Sequence, residues 1–305
     1  LLNKKIILLA DRHGASPQGT QQLDHFMAIL AELRNPLHIL VEQPPSLYYR
    51  HAKTLGVLTG IAKRVREGTL PSITTENIEI RPVAWAAYYI LSRQSYDSID
   101  PNAHCQELDK YALKDITFQQ VIDEFNNNKA MLQDLFRSIE HTGVQKNYDQ
   151  IMEKTTNNLK ILKTLLTYHL ATLNIKILHY KKVAGTNAIT DAIAKAILDS
   201  SSPLIELNIL HKTITSYHHA LAIIAGYHHT SKVTSMLLDA HARSIYSAGS
   251  PLSPTPITAH ELTTALTTQP HSRLVKYGPL SIACCLITAA SYYCYYWMNT
   301  VNPTT

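Results

Sequence analysis

Short apolar runs alternate with an amphipathic stretch near the start of the chain. Residues 6–10 are continuously apolar, residues 37–41 are apolar apart from His38, and both runs have the length of a buried strand. Between them, residues 21–33 place apolar side chains at helical spacing. Pro44 and Pro45 follow the second run, and proline cannot continue a strand ladder. The pattern predicts a strand–helix–strand unit with two parallel, buried strands.

The pattern then changes to long helices and returns to strands. Residues 78–83 predict a third strand. Residues 117–173 contain no proline and repeat apolar side chains at helical spacing, which predicts an antiparallel helical hairpin. Residues 221–225 predict a late strand, which is followed by a predicted helix over 231–242 and a short strand over 244–247.

These elements predict an α/β fold. It has a mostly parallel sheet flanked by helices, an inserted long helical hairpin and a C-terminal hydrophobic helix. The predicted order is a first part of the α/β core at 1–115, the hairpin insert at 116–180, a second part of the core at 181–249, a linker with a short helix at 250–278, and the hydrophobic helix at 279–298.

The C-terminal hydrophobic segment predicts a membrane anchor. Residues 280–298 carry no charge, and as a helix they would measure about 28 Å, close to the hydrocarbon thickness of a bilayer. Arg273 and Lys276 precede the segment and favour a cytoplasmic main domain. The alternative is a buried core helix, because Ser, Thr and Tyr make the segment only weakly hydrophobic.

Composition restricts the partners of this chain of 305 residues. Its net charge is +5, and the basic residues are dispersed instead of forming a tract that neutralises phosphates, so we expect no nucleic-acid partner. The chain has 16 histidines. They favour a metal site or an acid–base site, although a general bias in composition explains part of that number.

Candidate chemistry lies where the predicted strands end. His13 follows the first strand, Glu42 follows the second, and His228 and His229 follow the late strand. Ligands of parallel sheets bind beyond the carboxyl ends of the strands. Imidazole and carboxylate are ligands for Zn, Mn or Co ions, and they also serve as a general base and its partner. The sequence predicts a shared site at this edge.

The same residues carry a resemblance to a known superfamily. The string from Asp11 to Gly14 after a strand, Glu42 after the next strand, and Gly226 to His229 late in the chain resemble the superfamily of TraB/Tiki proteins, erythromycin esterases and haem-binding ChaN-like proteins. The resemblance implies His13, Glu42 and His229 as catalytic or metal-binding residues. Asp11, His228 and Arg81 are added as cofactor-binding candidates. The resemblance covers residues 1–85 and 215–250, and Ala10 stands in place of the first glycine of the family pattern.

Three functions are expected from these residues. The first is metal-dependent or His/Glu-assisted hydrolysis of an amide or ester bond in a small molecule or peptide. The second is a non-catalytic protein that binds a ligand such as haem or an interaction partner at a membrane. The third rests on Arg12, His13 and Gly14, which also resemble the histidine phosphatases, although Glu42 would repel a phosphate there.

Overall fold

The computed structural model describes residues 4–11, 17–33, 35–42, 61, 64–65, 70, 72–94, 113–244, 264 and 280–282. In this part of the chain the strands are β1 (Lys5–Asp11), β2 (Leu37–Val41), β3 (Ile73–Asn77), β4 (Ala220–Gly226), β5 (Ala242–Ser244) and β6 (Leu280–Ile282). The α-helices are α1 (Pro17–Glu32), α2 (Pro82–Ser92), α3 (Phe118–Phe136), α4 (Thr142–His169), α5 (Ile177–Ala184), α6 (Ala188–Thr215) and α7 (Tyr227–Asp239).

The strands form one parallel sheet, in the order β3-β2-β4-β1-β6-β5. The predicted α/β class with a parallel sheet is therefore confirmed. β4 lies between β1 and β2, so the first two strands are parallel but are not neighbours. In the register of β1 and β4, Asp11 is opposite Gly226, which brings the carboxyl ends of these two strands to the same level.

The strands β1, β2 and β4 are buried on both faces of the sheet, which explains why they are almost continuously apolar. Side chains of a strand alternate between the two faces. Ile6 and Leu8 point to the face that is covered by the later helices, whereas Ile7 and Leu9 point to the face that is covered by α1. The side chains of α1 on that second face include Phe26, Ile29 and Leu30.

A proline lies inside α6, the long helix that packs against α4. Pro203 has no N–H, so the carbonyl of Asp199 one turn earlier loses its normal partner in the helix. The side-chain amide of Asn158 on α4 donates a hydrogen bond to that carbonyl over 2.8 Å. The neighbouring helix thus satisfies the group that the proline leaves unpaired.

We expect Asn158→Ala to lower the free energy of unfolding by about 1 kcal/mol, because it removes this hydrogen bond. Asn157→Ala on the same helix is the matched control, since Asn157 is exposed and makes no hydrogen bond to the described residues. Urea unfolding of both variants measures the difference. Equal stabilities of the two variants would show that the Asp199 carbonyl does not need Asn158.

Two predicted elements are placed differently in the structure. The third strand is β3 at Ile73–Asn77 and not at residues 78–83, because Pro82 begins α2. Arg81 therefore precedes a helix instead of lying on a strand. The late helix begins at Tyr227, so that its first turn contains His228 and His229, which had been predicted in a loop.

The structure also differs from the prediction in the packing partner of the helical hairpin and in the bounds of the strand at the edge of the sheet. α3 and α4 occupy the predicted hairpin, but α4 packs chiefly against α6, a helix of 28 residues that the sequence reading did not predict. The short strand predicted at 244–247 is β5 at Ala242–Ser244, and residues 245–247 lie outside the described part.

The C-terminal hydrophobic helix does not begin at Leu280. Leu280–Ile282 is instead the short strand β6, which pairs with β1 and β5. Residues 283–298 lie outside the described part of the chain, as does most of the predicted linker. Within the described residues, no helix combines the length and the apolar character needed to cross a membrane. The anchor and the cytoplasmic location remain predictions.

Candidate functional site

Glu42 lies directly after β2 and joins the ends of two neighbouring strands. Its backbone N–H donates to the carbonyl of Ile224 on β4 over 2.9 Å. Its carboxylate oxygen Oε2 accepts a hydrogen bond of 2.8 Å from the N–H of Gly226. The residue is only 1% exposed. A buried carboxylate is costly unless it is hydrogen-bonded or paired, so the other neighbours of Glu42 determine what it can do.

Arg81 supplies the positive charge of this cluster. Its Nε and Nη2 donate to the two carboxylate oxygens of Glu79 over 2.9 and 2.8 Å, a bidentate pair. Nη2 also donates to Oε1 of Glu42 over 3.2 Å, and Nη1 donates to the hydroxyl of Ser202 on α6 over 3.4 Å. Burial acts to lower the pKa of Arg81, but Glu79, Glu42 and Glu124 outweigh it and raise that pKa.

His229 lies in the first turn of α7, between two carboxylates. Its Nδ1 is 3.3 Å from Oε1 of Glu206 on α6, and its Nε2 is 3.6 Å from Oε1 of Glu42. Only the first distance is within hydrogen-bonding range. All three side chains are at most 10% exposed. The imidazole is therefore held in one orientation, with Nε2 directed at Glu42.

His228 is at the rim of the same cluster. Its side chain is 72% exposed, and its Nε2 is 3.8 Å from Oε1 of Glu206, too far for a hydrogen bond. Successive residues of a helix point in different directions, which is why His229 is buried and His228 is not. His228 can therefore contact a ligand that arrives from solvent, whereas the side chain of His229 is only 10% exposed.

Glu124 on α3 is a further buried acid beside Arg81. Its two carboxylate oxygens accept hydrogen bonds of 2.8 Å from the N–H groups of Val83 and Ala84 in the first turn of α2. A carboxylate at this end of a helix is stabilised by the free N–H groups and by the helix dipole. Burial nevertheless outweighs these contacts and raises the pKa of Glu124 to about 7.

The structure brings together three of the residues that were predicted for the site: Glu42, Arg81 and His229. His228 lies at the edge of the cluster. Asp11 ends β1 opposite Gly226, so its backbone is level with the site, but its side chain is not described. His13 lies outside the described residues, and the prediction for it stays a prediction.

The sequence reading missed three acidic residues, Glu79, Glu124 and Glu206. Glu79 lies two residues before Arg81, in the connection between β3 and α2, and this spacing is the available signal. Glu124 lies in the predicted helical insert, and Glu206 lies on α6, a helix that the sequence patterns do not predict. Their distance from Glu42 in the sequence offers no local pattern, because only the packing of α3 and α6 on the sheet brings them close.

The residues of the described part do not by themselves complete a metal site. Among them, no three His, Cys, Asp or Glu side chains converge so as to hold an ion. Glu42 and His229 supply one oxygen and one nitrogen that face each other, and His13 is the third predicted ligand. Comparisons with protein-family models, with curated proteins and with solved structures find no match for this chain.

Proposed function

We propose that this chain is a hydrolase of amide or ester bonds in which His229 and Glu42 activate the attacking water. The observation that carries the proposal is the buried pair of Nε2 and Oε1, 3.6 Å apart, at the carboxyl ends of parallel strands. With its proton on Nδ1, His229 has a free lone pair on Nε2. That nitrogen can take a proton from water and return it to the leaving group.

The residues present are compatible with a divalent ion, in line with the resemblance to metal-dependent members of the superfamily. Two metal–ligand bonds of about 2.1 Å span up to about 4.2 Å, so Nε2 of His229 and Oε1 of Glu42 can both reach one ion. Glu206 on Nδ1 is the kind of outer partner that a metal-binding histidine has. Glu42, His229 and His13 would hold Zn, Mn or Co, and the bound ion would lower the pKa of its water.

The charge around the site supports a neutral or cationic substrate. Among the described residues of this cluster, the side chains of Glu42, Glu79 and Glu206 are buried together with one guanidinium, that of Arg81. Arg81 is already bonded to two of these carboxylates, so it offers little to an anion. A phosphate would meet more negative than positive charge. We therefore favour amide or ester hydrolysis over the phosphatase activity of the third expectation.

One observation favours a second candidate, a non-catalytic ligand-binding protein. Both oxygens of Glu42 already accept hydrogen bonds, from Arg81 and from Gly226, as in a network that only supports the fold. In that case the exposed His228 at the rim would be the group available to a ligand such as haem iron. An interaction partner at a membrane belongs to the same candidate.

Metal analysis combined with hydrolysis assays separates the two candidates. For the hydrolase we expect about one divalent ion per purified chain and turnover of model esters or peptides. His229→Ala and His13→Ala should each lose the ion and slow turnover by about 100-fold or more. His228→Ala is the matched control, because it removes the neighbouring but exposed imidazole, and it should keep both properties.

The opposite set of results would favour the second candidate. Wild-type protein that is free of metal and inert toward esters and peptides contradicts the hydrolase proposal. Haem that binds stoichiometrically and is lost in His228→Ala, without any hydrolysis, would identify the ligand-binding protein instead. A phosphoenzyme that forms in the wild type and disappears in His13→Ala would support the histidine-phosphatase activity instead.

A further inference from the structure

His229 is the only described histidine that has a carboxylate near each of its two ring nitrogens. A neutral imidazole carries one proton, on either Nδ1 or Nε2. The hydrogen bonds available to the two nitrogens decide which of them carries it. Glu206 is 3.3 Å from Nδ1, whereas Glu42 is 3.6 Å from Nε2. The geometry therefore gives a proton on Nδ1 an acceptor and gives a proton on Nε2 none at hydrogen-bonding distance.

The other partners of the two carboxylates point the same way. Glu42 receives hydrogen bonds on both oxygens, from Arg81 and from the N–H of Gly226. Glu206 is approached by His229 and, at a longer 3.8 Å, by His228. The Glu206 carboxylate can therefore accept a hydrogen bond from the Nδ1 proton of His229. That hydrogen bond helps to offset the cost of burying the carboxylate.

We infer that Glu206 is a positioning residue, which holds the proton of His229 on Nδ1 and leaves Nε2 unprotonated and directed at Glu42. The inference deepens the proposed function, since Nε2 is the atom that would act on water or bind a metal. Glu206 lies on α6, outside the segments that carry the family resemblance. A helix outside those segments would therefore control the reactive state of His229.

The tautomer of His229 can be read directly by NMR on full-length protein labelled with ¹⁵N-histidine. Long-range proton–nitrogen spectra distinguish the protonated from the unprotonated ring nitrogen, and the signals that vanish in His229→Gln identify the residue. In wild-type protein we expect the proton on Nδ1. In Glu206→Leu we expect the Nε2–H form to gain population, because the acceptor for the Nδ1 proton is gone. In Glu206→Gln we expect a smaller gain, because the amide oxygen is a weaker acceptor than a carboxylate. Glu140→Gln, on an exposed glutamate, should leave the spectrum of His229 unchanged.

A proton on Nε2 in the wild type, or protons on both nitrogens, would overturn the inference. So would an unchanged tautomer in the Glu206 variants, and two variants of different polarity are used so that one remains readable if the other fails to fold. If the chain hydrolyses its substrate, Glu206→Gln should lower kcat by about 10- to 100-fold with little effect on KM. If the protein hydrolyses nothing but His229 has the expected tautomer, the hydrolase proposal is wrong and the role of Glu206 stands. Failure of the proposed function and failure of this inference are therefore distinguishable.

Discussion

Replacing Arg81 by methionine is expected to lower the free energy of unfolding by about 3–5 kcal/mol. Methionine fills part of the volume but removes the positive charge that pairs with both Glu42 and Glu79, whose side chains are buried. The two carboxylates would then lose this partner in an environment of low polarity, and that is more costly than the loss of the ion pair itself. Urea unfolding monitored by circular dichroism measures the change.

Arg137→Met is the matched control for this experiment. Arg137 forms an ion pair of 3.0 Å with Asp134, but both side chains are at least 70% exposed, so we expect a change below about 1 kcal/mol. Adding Glu79→Gln to Arg81→Met should restore part of the lost stability, since one unpaired charge disappears. A loss for Arg81→Met no larger than that for Arg137→Met would mean that water reaches the cluster freely.

The second large effect is expected from Glu124, whose ionisation should lower the free energy of unfolding as the pH rises. Its pKa is about 7 in the folded protein, against an ordinary value of 4.5. Between these values the folded state keeps a proton that the unfolded chain has released, so the folded state binds more protons and stability falls with rising pH. At about 1.4 kcal/mol per pKa unit, the total is about 3 kcal/mol.

Glu124→Gln isolates this contribution, because glutamine is uncharged at every pH. We expect the unfolding free energy of the wild type, minus that of the variant, to decrease by about 3 kcal/mol between pH 4.5 and pH 7.5. Subtraction cancels the other titrating groups. Glu140→Gln, which changes an exposed glutamate, should show a nearly constant difference. A constant difference for Glu124→Gln would show that its carboxylate is solvated.

The strands were the most predictable part of this fold. The run at residues 37–41, which is apolar apart from His38, predicts a strand, and Leu37–Val41 is the strand in the structure. The run is diagnostic because a central strand is covered on both faces. By contrast, β3 reads Ile-Thr-Thr-Glu-Asn and is partly exposed at the sheet edge, so the more apolar segment after it was preferred.

The site was predictable only where residues follow strands. Glu42 and His229 could be expected to meet, because parallel strands present their carboxyl ends on one edge of the sheet. Glu206 could not, since its position depends on how a helix of 28 residues packs, and that is decided by many side chains over its whole length. The tautomer of His229 thus depends on the part of the fold that local sequence patterns describe least.

The position of β4 in the sheet has a consequence for biosynthesis. The strands β1 and β2 are synthesised long before β4, the strand that separates them, which ends at Gly226. Until then both strands lack their central partner, and their edges can pair with other chains. Nascent chains that end before Gly226 should therefore engage chaperones, and the sheet should become resistant to proteases only after β4 has been synthesised.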